Sequence, residues 1–176
     1  MNRRTALVGG VAAVAAVAGA GVSLWRTREA TSAAPATSNA ALWALRFERP
    51  GGGQLALGAL RGRPLLLNFW ATWCPPCVAE LPLLDRFQRE QPATGWQVVG
   101  LAVDNLAPVT AFLAKRPVGF AIGLAGIDGI ELARTLGNAG GALPFTAVFD
   151  RAGQLVQRKL GVIEPADLKH WVASVT

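Results

Sequence analysis

Histidine occurs once in the 176 residues, as His170, and cysteine twice, as Cys74 and Cys77. A structural zinc site uses four Cys or His ligands, and the whole chain offers three, so no metal site is expected. Covalent haem attachment needs a histidine directly after the second cysteine, where Val78 stands. Without a third cysteine the chain cannot relay electrons internally and must exchange them with another molecule. Basic residues are not run together with aromatics either. The formal net charge is +6, and half of it comes from residues 1–29, with four arginines against Glu29. That pattern excludes a nucleic-acid footprint and reads as solvated surface. Internal repeats are absent as well.

What is there is concentrated in Trp73-Cys74-Pro75-Pro76-Cys77. A disulfide between residues so close would constrain the unfolded chain very little, so a purely structural role explains it poorly. A thiol pair at this spacing can instead close a small ring and reopen it. The sequence predicts a helix over 75–91. Its first turn would point unpaired N–H groups and the positive dipole end at Cys74, which favours thiolate. Cys74 is then the attacking sulfur, and Cys77, inside the helix, the resolving one.

The front of the chain is different in kind. Arg3 and Arg4 precede an uncharged run from Ala6 to Trp25, followed by Arg26 and Arg28. As a helix such a run would span about 30 Å, enough to cross a bilayer. An uncleaved signal-anchor over 1–26 is favoured, because Arg26 and Arg28 follow with no cleaner cleavage site before them. A cleaved signal peptide, with the small residues Ala18-Gly19-Ala20, is the competing reading. The paired arginines resemble a twin-arginine signal but depart from it at Asn2, Ala6 and Val8. Either way the remainder is exported. Residues 27–39, rich in Ser, Thr, Ala and Pro, read as a flexible linker, and residues 40–176 as the folded domain.

Within that domain, Trp43–Phe47 and Gln54–Leu57 read as a hairpin across Pro50-Gly51-Gly52-Gly53. Leu65–Phe69, apolar but for Asn68, and Val98–Val103 are runs of the kind that form strands buried on both faces. Helices are expected over 75–91 with Pro82 inside it, over 107–116 and over 130–136. A hairpin follows over 146–149 and 155–160, and a last helix starts near Pro165. Alternating strands and helices, then a hairpin and a closing helix, predict an α/β fold with a central mixed sheet flanked by helices. The cysteine pair falls at the carboxyl end of a central strand, where open α/β sheets place their chemistry.

Asn68-Phe69-Trp70-Ala71-Thr72-Trp73-Cys74-Pro75-Pro76-Cys77, followed by Glu80-Leu81-Pro82, resembles the TlpA/ResA-type thioredoxin family. Leu143-Pro144-Phe145-Thr146 through Asp150 extends the likeness to about residues 40–176. The resemblance implies a thioredoxin-like fold and an exported, often membrane-anchored thiol–disulfide oxidoreductase whose only cofactor is the Cys74–Cys77 disulfide. It implies a cis bond at Pro144, beside the disulfide, exposing the backbone of Leu143 to pair with an extended substrate segment. Gly140 and Gly141 would let that loop approach a partner closely. Trp73, Pro75 and Pro76 complete the expected contact surface, while Trp70 fits core packing nearly as well. Glu80, one helical turn beyond Cys77, is the acid expected to take the Cys77 proton, since Asn68 stands where the wider thioredoxin family has a titratable Asp.

The expected partners are cysteine-containing extracytoplasmic proteins, for example in cytochrome c or oxidase copper-site maturation, and a membrane thiol–disulfide transporter as electron donor. The expected location is the inner membrane with the domain facing the periplasm, or the exported soluble fraction if the N-terminal segment is cleaved. Two close thiolates also suit Cu(I), so a copper metallochaperone is the competing function. A peroxide reductase on the same scaffold would want a threonine three residues before Cys74, where Ala71 stands. His170 is expected on the solvent side of the last helix. Asp104 and Asp128 read as capping or turn residues.

Overall fold

A computed structural model describes residues 36–91 and 95–175. The signal-anchor reading of 1–26 and most of the 27–39 linker lie outside the described residues. Among the described residues no helix is long and apolar enough to cross a membrane.

The compact unit spans Ser38–Thr176. In chain order the elements are α1 (Ala36–Ala44), β1 (Arg46–Glu48), β2 (Gln54–Ala56), a 3₁₀ turn (Leu57–Leu60) and β3 (Leu65–Trp70). Next come α2 (Pro75–Glu90), β4 (Gln97–Ala102), α3 (Leu106–Lys115), β5 (Ala121–Leu124) and α4 (Gly129–Thr135). The antiparallel pair β6 (Phe145–Phe149) and β7 (Leu155–Leu160) precedes the closing helix α5 (Pro165–Ser174). The strands form one sheet in the order β2-β1-β5-β4-β3-β6-β7. Strands β3, β4 and β5 run parallel, and β6 lies antiparallel to β3. The expected mixed sheet is therefore present.

Every residue of β3 and of β4 is buried, because both strands are covered on two faces. On one face Leu66 and Trp70 pack with Cys77, Leu81 and Leu84 of α2 and with Leu168 and Trp171 of α5. On the other, Leu65, Leu67 and Phe69 pack with Leu42 and Trp43 of α1 and Ala133 of α4. Pro75 and Pro76 open α2 at positions whose N–H groups would have had no helical partner, and Pro82 sits within the helix. At α5 the Glu164 and Asp167 side chains close a reciprocal capping box around Pro165.

Two elements differ from expectation. Trp43 belongs to α1 and not to a strand, and α1 starts at Ala36, inside the stretch read as linker. The segment has no strong apolar stripe of its own. It is held by tertiary contacts: Trp43 Nε1–H donates to the Gly153 carbonyl at 3.1 Å, and the ring meets Phe149 edge-on at 5.4 Å. The sequence does not announce strand β5, because Gly123 interrupts its apolar pattern. A Cβ at Gly123 would lie 2.8 Å from the Phe47 Cβ, so close approach of β1 explains the glycine.

Gly153 tests the α1 contact. It has a φ of +80°, and an added Cβ would stand 2.9 Å from Trp43 Nε1. Gly153→Ala is expected to lower the melting temperature by about 5–10 °C, combining left-handed backbone cost with loss of the Trp43 seat. Gly52→Ala is the control, with a φ of +88° and no atom within 4 Å of the added methyl. Equal shifts for the two variants would show that Trp43 contributes nothing through this contact.

Candidate active site

Strand β3 ends at Trp70, and the four residues to Cys74 carry the chain from sheet to helix. The neighbouring loop pins this link. Asp104, just past β4, accepts hydrogen bonds from the Thr72 backbone N–H at 3.0 Å and from the Thr72 hydroxyl. The register Trp70↔Ala102 explains the pairing, since Thr72 and Asp104 each lie two residues beyond matched positions of parallel strands. Asp104 also accepts from the Asn105 N–H at 2.8 Å, but its main work is fixing the approach to Cys74. Nothing in a single sequence marks that partnership before the strand register is known.

Cys74 is the N-cap of α2, in extended backbone, and its sulfur accepts the Cys77 N–H at 3.4 Å. The prolines at 75 and 76 bring no N–H groups, so Cys77 supplies the first donor at this helix start. The two sulfurs are joined as a disulfide with Cα atoms 5.3 Å apart. Cys74 is 5% exposed and Cys77 fully buried. Pro75 and Pro76 are exposed, and Trp73 stands out at 64%. Trp70, by contrast, is entirely buried and packs against Phe112 at 5.4 Å. The paired tryptophans thus divide, one into the core and one onto the surface.

The second loop arrives from β6. The Leu143–Pro144 peptide bond is cis. Phe145 pairs with Phe69, which places Pro144 at the end of β3 from which the cysteine segment departs. The Pro144 carbonyl accepts the Gly161 N–H at 2.9 Å, tying this loop to the one after β7. Leu143 is half-buried and touches both hydrophobic layers. Exposed Leu160 and Val162 lie on the β7 end of the same region. His170 is exposed on α5.

Glu80, the acid expected beside Cys77, is a charged group within this core, only 2% exposed. Its Oε1 accepts Asn68 Nδ2–H at 2.7 Å, and its Oε2 accepts the Ile163 N–H at 2.8 Å. Asn68 also donates to Thr146 Oγ1 at 3.1 Å. Helical spacing sets Glu80 one turn from Cys77, but its partners come from β3 and the loop before α5, with Thr146 of β6 behind Asn68. Burial raises the Glu80 carboxyl above its ordinary value of 4.5, and the bonds from Ile163 and Asn68 oppose that rise.

Stability is linked to this proton. Between pH 4.5 and the raised folded value the native state holds a proton that the unfolded chain has lost. The stability tied to Glu80 is therefore full below that window and declines as pH rises through the folded pKa. Urea unfolding of wild type and Glu80→Gln from pH 4 to 8 is expected to show wild type losing ground to the variant across the window. The loss amounts to about 1.4 kcal/mol for each pH unit that separates the folded from the unfolded pKa. A pH-independent difference between the two would contradict it.

Among the described residues no group of three or more His, Cys, Asp or Glu side chains is arranged to hold a metal ion. The chemistry available here is that of two sulfurs, a buried acid and an exposed aromatic.

Comparison with known proteins agrees with that geometry. The chain is 26% identical over 126 residues to the thiol-disulfide oxidoreductase ResA of Bacillus thuringiensis strain Al Hakam, covering 71% of this chain and 70% of that protein. Among solved structures, a thiol:disulfide interchange protein of the thioredoxin family from Chlorobium tepidum superposes with a TM-score of 0.64 at 26% identity, covering 74% of this chain and 92% of that one. A thioredoxin-related protein from Neisseria meningitidis serogroup B gives a TM-score of 0.61 at 30% identity, covering 68% and 89%. The Redoxin family model matches residues 29–171, a span that holds both cysteines, Glu80 and Pro144. On that match the chain belongs to the Redoxin family, and with its cysteine pair it is a thiol–disulfide oxidoreductase of thioredoxin-like fold.

Proposed function

We propose that this chain is an exported, membrane-anchored reductase of disulfides in extracytoplasmic proteins, working through Cys74 and Cys77 with no further cofactor. Residues 1–26 are the anchor, the stretch from there to α1 the tether, and α1 onward the working domain. The observation that carries the reading is the asymmetry of the pair, with Cys74 at the helix start and reachable, and Cys77 fully buried behind it.

Cys74 thiolate attacks one sulfur of the target disulfide, and the other target sulfur leaves as thiolate. Cys77 then loses its proton to Glu80 and attacks Cys74. The mixed disulfide breaks, the Cys74–Cys77 bond forms, and the target departs with two electrons gained. Trp73, Pro75, Pro76 and Leu143 form the surface against which the target segment lies, and Pro144, itself buried, sets the backbone beneath it. A membrane thiol–disulfide transporter returns the chain to its dithiol form. Apo-cytochrome c or proteins of oxidase copper-site assembly are targets of the right chemistry.

The reducing direction draws support from the helix start. No histidine lies between the cysteines, and Pro75 and Pro76 contribute no N–H groups. The Cys74 thiolate is thus weakly stabilised compared with a strong oxidant's. Equilibration against a thiol buffer is expected to give a potential more negative than about −200 mV, and a value near about −120 mV would make the protein an oxidant. Location is tested separately. Carbonate-washed membranes are expected to retain the protein, with its reduced cysteines open to an impermeant reagent from the extracytoplasmic side. A soluble form with its N-terminus between Ala20 and Ala36 would remove the anchor and leave export standing.

A further inference from the structure

Glu80 can serve as a proton acceptor only if its buried surroundings tolerate both the carboxylate and the acid. In the structure both oxygens accept hydrogen bonds, Oε1 from Asn68 Nδ2 and Oε2 from the Ile163 N–H. The Ile163 donor is backbone and cannot reverse. A proton placed on Oε1 would meet the Asn68 NH₂ group, donor against donor. Buried polar groups left without partners are costly, so something in this contact must turn.

Asn68 is the side chain able to do so. It is fully buried, its Nδ2 serves both Glu80 and Thr146, and its Oδ1 has no hydrogen-bond partner. The oxygen and the NH₂ of a terminal amide are nearly equal in size, and the torsion that exchanges them is soft. A half-turn would present Oδ1 to a Glu80 O–H. Thr146, directly opposite Asn68 in the β3–β6 register, carries a hydroxyl that both donates and accepts, so it can follow the reversal. One polar end of the amide is unpartnered before the turn and the other after it, which keeps the two arrangements close in energy. An aspartate at this position would be an acceptor alone when ionised and could not serve a carboxylate.

We propose that Asn68 is a positioning residue whose amide turns over as Glu80 gains and loses its proton, donating Nδ2–H to the carboxylate and offering Oδ1 to the acid. The proposal rests on the reading of Glu80 as acceptor of the Cys77 proton. The groups bonded to Glu80 are Asn68 from β3 and the Ile163 N–H from the loop before α5, with Thr146 of β6 behind Asn68 and Cys77 one turn back on the same helix. The nearby charges on that side pair with each other, Lys159 with Asp167 at 2.9 Å, and Glu164 is exposed. No neighbouring charge contributes to the raised Glu80 value.

The test follows resolution of a mixed disulfide in the full chain. Reduced protein is loaded at Cys74 with 5-thio-2-nitrobenzoate, and attack by Cys77 releases the coloured thiolate. Asn68→Leu is expected to move the acid limb of the rate profile up by about one to two pH units, because Glu80 loses the donor that favours its ionised form. In ¹⁵N-labelled wild type, the Asn68 side-chain NH₂ signals are expected to titrate with the same midpoint as that limb, and to be pH-independent in Glu80→Gln. If Asn68→Leu fails to fold, the wild-type NH₂ titration decides alone. An NH₂ signal flat across the limb overturns the turnover, as does an unmoved limb in folded Asn68→Leu. In that case a limb still displaced by Glu80→Gln leaves the Glu80 reading intact. A limb indifferent to Glu80→Gln overturns both.

Discussion

Cys77→Ala is expected to convert a catalyst into a trap. Cys74 retains its place at the helix start, since the Cys77 backbone N–H that reaches its sulfur survives the substitution. It should still attack a target disulfide, but no second thiol is present to release the product. The mixed disulfide should accumulate to near stoichiometry and dissolve only on adding external thiol. Cys74→Ala should form no adduct, and its turnover should fall on the order of 10³-fold or more, because the nucleophile itself is gone. Non-reducing electrophoresis with a disulfide-bonded substrate distinguishes them. Adducts forming through Cys77 in Cys74→Ala, at a rate near that of Cys77→Ala, would reverse the roles of the two sulfurs.

The next largest effect is expected at Glu80. Glu80→Gln preserves the size of the side chain and its ability to accept from the Ile163 N–H, but it cannot take a proton. Removing a general base commonly costs 10²–10⁴-fold, and here the loss should be about 10- to 100-fold at pH 7. The smaller figure follows because a thiol of ordinary pKa is a few per cent ionised at that pH without help. The loss should shrink as pH rises toward 9. Removal of a buried negative charge should also lower the Cys74 thiol pKa. Superimposable rate profiles and an unmoved Cys74 titration would leave Glu80 as a structural acid only.

Much of this architecture was legible before any coordinates. Leu65–Trp70 announces a doubly buried strand by an apolar run broken only by Asn68, and Pro75 with Leu81 and Leu84 announces the helix after it. From those two elements the place of the disulfide follows, because a strand-to-helix junction in a parallel sheet lies at the strands' carboxyl ends. Segments whose order comes from elsewhere were not legible. Trp43 looks like a strand residue because its aromatic ring favours strands, yet Gly153 and Phe149, more than a hundred positions away, seat it on a helix. Ala121–Leu124 hides as a strand because Gly123 answers to the Phe47, Leu101 and Leu55 side chains crowding it and not to local preference.

The candidate site divides the same way. Residues contiguous with the cysteines declare themselves through spacing, and Glu80 does so through one helical turn. Its burial does not show in sequence, since a charged residue on a helix is usually solvated. That burial depends on Asn68, Thr146 and Ile163 converging from three elements, and such convergence is a property of register. Asp104 acts on Thr72 for the same reason.

The asymmetry of the two sulfurs is tested most directly by alkylating the reduced protein across pH and identifying the labelled cysteine by mass spectrometry. The helix start and the 5% exposure of Cys74, against none for Cys77, call for labelling at Cys74 first. Its midpoint should fall below the free-thiol value of about 8.5, with Cys77 protected until well above it. Labelling of Cys77 first, or of both at the free-thiol midpoint, would contradict Cys74 as the attacking sulfur.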